Sequence, residues 1–223
     1  MDDLDIDYTS HLGFQTTAVF NKLVPKSRKK WVEVFEDSPH LAVTNQEAKK
    51  WQWLSNGYYF WLNADRFAHW WGKLWFKQYA ITKYTIKIDR TQLLDLITNP
   101  DHIKLFWDLM IEYQNVYDQA VEAGEAEDMI EPSVCAVLTY FRDLLGDSFQ
   151  YKAIMAMDEW KDFKFLDPDS DFEFKMAPDS SEHEIFGGTK RAQICVFEQF
   201  KNEVLFRKTA HSPKNYVMAC HTA

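Results

Sequence analysis

Strand patterns early, helical patterns in the middle and strand patterns again late predict one α+β domain with a mostly antiparallel, split sheet. Three stretches carry that expectation. Tyr79 to Ile88 alternates, with Thr82, Tyr84, Ile86 and Ile88 on one side and Lys83, Thr85 and Lys87 on the other. Between Asn99 and Leu145 apolar residues recur at helical spacing, and Ala192 to Phe197, AQICVF, reads as a buried apolar strand.

In chain order, residues 4 to 14 predict a first strand ending near Gly13. Gln15-Thr16-Thr17 then offers a threonine N-cap for a short helix with Val19, Phe20, Leu23 and Val24 on one face, stopped at Pro25. Lys26 to Lys30 is a basic run that suits a solvated surface or a phosphate contact. Leu41 to Thr44 reads as a brief strand.

Trp51 to Trp75 holds six of the nine tryptophans. It contains a Ser55-Asn56-Gly57 turn, the aromatic run Tyr58 to Trp61, a turn at Asn63, and a helix with Phe67, Trp70, Trp71 and Leu74 on one face. So much rigid aromatic area belongs either to a core corner or to a binding pocket.

Asn99-Pro100 is a cap followed by proline at the first helical position, and Ile103, Phe106, Trp107, Met110 and Tyr117 share one face of the helix it opens. The acidic segment Glu122 to Glu131 ends that helix. A second one follows Pro132, with Val134, Val137, Leu138, Phe141 and Leu145 inward. Phe149 to Met157 predicts a strand, Asp158 to Gly188 a long irregular loop or lid, and Val204 to Phe206 a last short strand.

A length of 223 residues suits a single domain, here 1-223, and 46% hydrophobic with 26% charged residues is ordinary for a globular chain. The net charge of −9 gives no global field for nucleic acid. Cys135, Cys195 and Cys220 are few and far apart, which points to a reducing compartment and away from a zinc ribbon. The acidic start MDDLDIDYTS is unlike a signal peptide, and no apolar run is long enough to span a bilayer. Together these predict a cytoplasmic protein without a membrane partner.

No phosphate-binding loop, dinucleotide fingerprint, zincin motif or nucleophile elbow occurs, and no His or Cys spacing suggests a metal. Any catalysis must come from positioning an intrinsically reactive substrate.

Three segments in order resemble the three-motif pattern of the ADP-ribosyltransferase-like fold family, of the poly-ADP-ribose polymerase and diphtheria-toxin type. They are His11-Leu12-Gly13-Phe14-Gln15-Thr16-Thr17, then Gly57-Tyr58-Tyr59-Phe60 leading into a helix over Asp65 to Trp75, then Gln193-Ile194-Cys195-Val196-Phe197. The resemblance is to a degenerate H-Y-Q variant, and it implies an NAD-dependent mono-ADP-ribosyltransferase acting as a toxin or defence effector.

By that resemblance Tyr59 would stack on nicotinamide, Gln193 would reach a ribose hydroxyl or the acceptor, and the first strand would hold the dinucleotide. His11, Gln193 and Tyr59 are the implied catalytic residues, and Gln15, Thr16, Gly57 and Tyr58 the implied NAD-binding ones. Gln15 stands nearest the place of the family histidine and His11 lies four residues earlier, so either fills the role. Gln193 stands where the family carries Glu. An amide can bond a hydroxyl but cannot balance developing positive charge, which counts against polymer synthesis and leaves single transfer, an atypical acceptor or loss of catalysis.

The partner implied is a macromolecular acceptor, protein or nucleic acid; the acidic Asp158 to Glu184 segment suits either a lid or a docking site for an inhibitory protein. The competing reading is a non-catalytic nucleotide-binding or protein-interaction module of the same fold.

Overall fold

A computed structural model describes residues 7–19, 28–45, 52–158 and 191–221. The expected lid over Asp158 to Gly188, the Phe20 to Pro25 stretch and part of the basic run lie outside these residues, apart from Asp158 and Arg28 to Lys30.

The elements run β1 (Tyr8–Ala18), α1 (Arg28–Asp37), β2 (Tyr58–Leu62), α2 (Asp65–Trp75), β3 (Tyr79–Asp89), β4 (Leu93–Asp95), α3 (Pro100–Ala123), α4 (Val134–Leu145), β5 (Ala153–Asp158), β6 (Arg191–Val196), α5 (Lys201–Val204), β7 (Leu205–Ser212) and α6 (Lys214–His221). The strands form one seven-stranded sheet in the order β4-β5-β6-β2-β1-β3-β7, antiparallel except for the β4–β5 pair.

The first strand differs from its sequence reading. Gln15 to Ala18 continue β1 rather than capping a helix, because they pair residue for residue with Tyr79 to Thr82 of β3. Two adjacent threonines suit such a ladder better than a helix start. Leu41 to Thr44 makes only an isolated bridge, Ala42 to Gly57. In α3 the buried residues are Phe106 and Tyr113, whereas Trp107 is exposed. Asn99 caps the start through its side-chain oxygen, and Gly124 closes the end at φ 74°, a conformation that favours glycine.

The sheet is strongly curled. Only Arg90 to Gln92 separate β3 from β4, yet the two strands stand five places apart in the sheet. Four Cα steps reach about 14 Å, whereas five strand spacings in a flat sheet come to at least about 24 Å. Curling brings Ile86 and Ile88 of β3 against Leu93 of β4 and Met155 of β5, with Phe60, Leu62 and Ile194 completing this inner core.

On the outer face, α3 and α4 cover Ile154, Ala156 and Cys195 with Phe106, Tyr113, Leu138 and Phe141, while α2 packs Phe67 and Ala68 on Phe14, Trp61 and Ile81. Trp31 of α1 and Tyr216 of α6 close the sheet's other end on Ala80.

Candidate functional site

The strands β6, β2 and β1, which carry Gln193, Tyr59 and the His11 to Thr17 segment, are consecutive neighbours in the sheet. Tyr59 sits opposite Cys195, and Trp61 opposite Gln193. The join between β1 and β2 is short, limited to Gly13 opposite Leu62 and Phe14 opposite Trp61.

Beyond Phe14 the two strands fork, and the buried Gln15 side chain fills the opening. Its Nε2 donates to the carbonyls of His40 at 3.1 Å and Tyr59 at 3.4 Å, and its Oε1 accepts from the His40 amide at 2.7 Å. The Ala42 and Gly57 backbones bond each other at 2.9 and 3.0 Å in the same region. Gln15 therefore substitutes for missing ladder bonds, which a sheet opening in its interior otherwise leaves unpaired.

Strand alternation sorts the sequence-derived residues between two faces. Tyr59, Gln193 and Thr16 are on the outer face with α2 to α4, whereas His11, Gln15 and Tyr58 are on the inner face, where Gly13 and Leu62 also point. The structure brings Tyr59 and Gln193 together and sets His11 apart from both.

The Tyr59 ring packs on the outer core, and its hydroxyl accepts from the Leu54 amide at 2.8 Å and donates to the Ser55 carbonyl at 2.7 Å. Burial, with Cys195 nearby, drives the phenol far above its ordinary range, so it stays protonated. That hydroxyl holds the 52–57 turn, in which Ser55 has φ 73°. Arg142 braces the same turn, Nη1 donating to Ser55 Oγ at 2.7 Å while its guanidinium lies 3.9 Å from the centre of the Phe197 ring. A Cβ at Gly57 would meet Cys195 Sγ at 2.5 Å and the Val196 carbonyl oxygen at 2.6 Å, so only glycine fits so close to β6.

Gln193 is buried, and its Oε1 accepts from the indole Nε1 of Trp53 at 3.1 Å. Two residues earlier on the same face, Arg191 is 1% exposed, its guanidinium 4.4 Å from the Trp70 ring centre and 5.9 Å from that of Trp61. Trp61 meets Trp70 edge-on at 6.2 Å. Thr16 Oγ1 donates to the Ala68 carbonyl at 2.6 Å and ties β1 to α2 beside this cluster.

An amide side chain, a buried cation and indole rings thus cluster on the outer face. Sequence reasoning did not single out Trp53 or Arg191. The signal for Arg191 was strand alternation, which puts it on the face of Gln193; for Trp53 it was membership of the aromatic stretch alone.

His11 Nε2 is 3.1 Å from Thr9 Oγ1, and burial lowers its imidazole pKa, Asp95 opposing and Arg90 assisting. The Tyr58 phenol is pushed up by burial and by Glu198, and Lys201 Nζ lies 5.2 Å from its ring centre. Neither residue reaches the outer cluster. Among the described residues no group of three His, Cys, Asp or Glu is placed to hold a metal ion, and no helix is long and apolar enough to cross a membrane.

Comparison of the chain with protein-family models, curated proteins and solved structures finds no match.

Proposed function

We propose that the chain binds NAD on the outer face of β6, β2 and β1 and transfers its ADP-ribosyl group to a macromolecular acceptor, as the ADP-ribosyltransferase resemblance implies. The observation that supports this reading is the adjacency of the three motif-bearing strands, with Gln193, Trp53 and Tyr59 linked around one buried turn.

The residues fit the group. Indoles offer faces for a flat ring, the Arg191 guanidinium suits a pyrophosphate, and the Gln193 amide nitrogen donates to a hydroxyl. NAD supplies an N-glycosidic bond whose breakage builds positive charge on the ribose and needs little help for the leaving group. The chain's part is to align the dinucleotide and to exclude water with its aromatic walls. Tyr59 contributes its ring and the turn it holds, not a proton.

A second reading, a binding module without turnover, is favoured by one feature. The Gln193 oxygen is engaged by Trp53 and carries no charge to set against a cationic ribose.

Nicotinamide release from NAD by the purified protein distinguishes the two. Release that disappears in Gln193→Ala, with the fold intact by circular dichroism, supports transfer. A thermal shift with NAD but no release supports the module, and neither signal removes NAD from consideration.

A further inference from the structure

On the inner side of the curled sheet, away from Gln193, a cavity of about 420 Å³ opens where the start of β1, the Arg90 to Gln92 turn, β4 and the start of α3 converge. Leu93 and Met155 contribute apolar wall, and His11, His102 and Arg90 line the remainder with Asp95 and Thr98.

The donors and acceptors there are unequally committed. His102 Nδ1 accepts from the Asp95 amide at 3.0 Å, which fixes the proton of the neutral ring on Nε2 and makes that nitrogen a donor. Asp95 is already used: its carboxylate accepts from the amides of Ile97 at 2.8 Å and Thr98 at 2.9 Å and from the Thr98 hydroxyl. The first amides of α3 are taken by Asn99 Oδ1, at 3.0 and 3.3 Å, so the helix end itself offers little. What remains to meet a ligand is the Nε2–H of His102, the His11 ring, whose Nε2 lies 3.1 Å from Thr9 Oγ1, and the Arg90 guanidinium, which among the described residues is held by an exposed pair with Asp7 at 2.9 Å.

We propose that this cavity binds a small molecule carrying an oxyanion, phosphate or carboxylate, which is gripped by His11, His102 and Arg90. Arg90 supplies a permanent charge and a planar fork of donors. The imidazoles supply donors, and His11 gains a proton as the anion enters. Burial keeps His11 neutral near pH 7 in the free protein, with Arg90 favouring and Asp95 opposing that state. Binding of a carboxylate, whose charge is fixed over this range, therefore takes up protons at His11 and tightens as pH falls from 7.5 to 6.5. This site is independent of the NAD reading, because it lies on the other face of the sheet.

The test follows the imidazole Cε1–H signals of His11 and His102 by NMR while the whole protein is titrated with inorganic phosphate, ribose 5-phosphate or ribose. Both phosphates are expected to move the two signals saturably, and ribose to leave them in place. Arg90→Gln, an exposed change that spares the core, should weaken phosphate binding about tenfold, while Asp7→Asn, which releases Arg90 from its pair, should not weaken it. Shifts that never saturate, ribose binding as tight as ribose 5-phosphate, or unchanged affinity in Arg90→Gln would each overturn the proposal.

Discussion

The indole nitrogen of Trp53 donates to the side-chain oxygen of Gln193 at 3.1 Å, across 140 residues of sequence. This bond engages the Gln193 oxygen as an acceptor and leaves the amide nitrogen free to donate to a ligand. Gln193→Glu keeps an acceptor for Trp53 and adds the missing negative charge. Under the transfer reading, nicotinamide release from NAD should rise in this variant by about tenfold or more. An unchanged rate, with circular dichroism and urea midpoint like the parent's, argues that the position takes no part in turnover.

Tyr59→Phe retains the ring and removes the hydroxyl that serves Leu54 and Ser55. The buried Leu54 amide then loses this partner and the Ser55 carbonyl keeps the weak Cys195 thiol donor at 3.8 Å, which costs about 1–3 kcal/mol. Urea denaturation should report that loss, and under the NAD-binding reading a thermal shift with NAD should persist. A variant as stable as the parent would mean that the turn does not depend on the phenol.

Gln15 makes three bonds at the fork between β1 and β2. Gln15→Leu, of similar size, leaves the His40 amide and carbonyl unpaired and should destabilise by more than about 2 kcal/mol. Gln15→Glu should also destabilise, because a carboxylate would face the His40 and Tyr59 carbonyls. Hydrogen exchange at the His40 amide is the direct measurement, and exchange as slow in Gln15→Leu as in the parent would contradict the role assigned to this side chain.

At Gly57 an added Cβ meets a backbone carbonyl oxygen at 2.6 Å as well as the Cys195 sulfur. Gly57→Ala should lie at or beyond the upper end of the about 1–3 kcal/mol that overpacking costs. Pairing it with Cys195→Ala recovers only part of the loss, since the carbonyl remains; full recovery would assign the whole conflict to the sulfur.

Stability should fall with acidity in two stages. Burial lowers the pKa of both His11 and His69, so from the ordinary 6.5 down to their folded values the unfolded chain binds more protons and gains on the folded one. Asp65 is lowered chiefly by its bond to His211. Its contribution is present above the ordinary 3.8 and is lost as pH falls through its folded value. The urea midpoint should therefore drop between pH 7.5 and 5.5, less so in a His11→Asn, His69→Asn double variant. A midpoint that stays level over that range in the parent would contradict the first stage.

Local pattern made much of this fold legible. The alternation of Tyr79 to Ile88 lies within β3, the spacing of Phe67, Trp70 and Trp71 falls within α2, and Asn99-Pro100 starts α3. What stayed hidden depended on distant partners. Gln15 to Ala18 is a strand because β3 pairs with it, and β4 is three residues long, too short to show a period. The division of the site was half visible. Alternation already separates His11 from Thr16, but the face that joins Tyr59 to Gln193 depends on a register that only the assembled sheet fixes.

The position of β6 bears on how the protein is made. This strand comes late in the chain, yet it lies between β5 and β2 in the middle of the sheet. A chain still on the ribosome that has not yet released Arg191 to Val196 leaves both neighbours with open edges, and such edges invite pairing with other chains. The outer-face cluster has neither Arg191 nor Gln193 until that moment. A growing polypeptide thus lacks part of the outer-face cluster as well as the centre of its sheet, and one that is cut short before β6 is a substrate for chaperones and proteases.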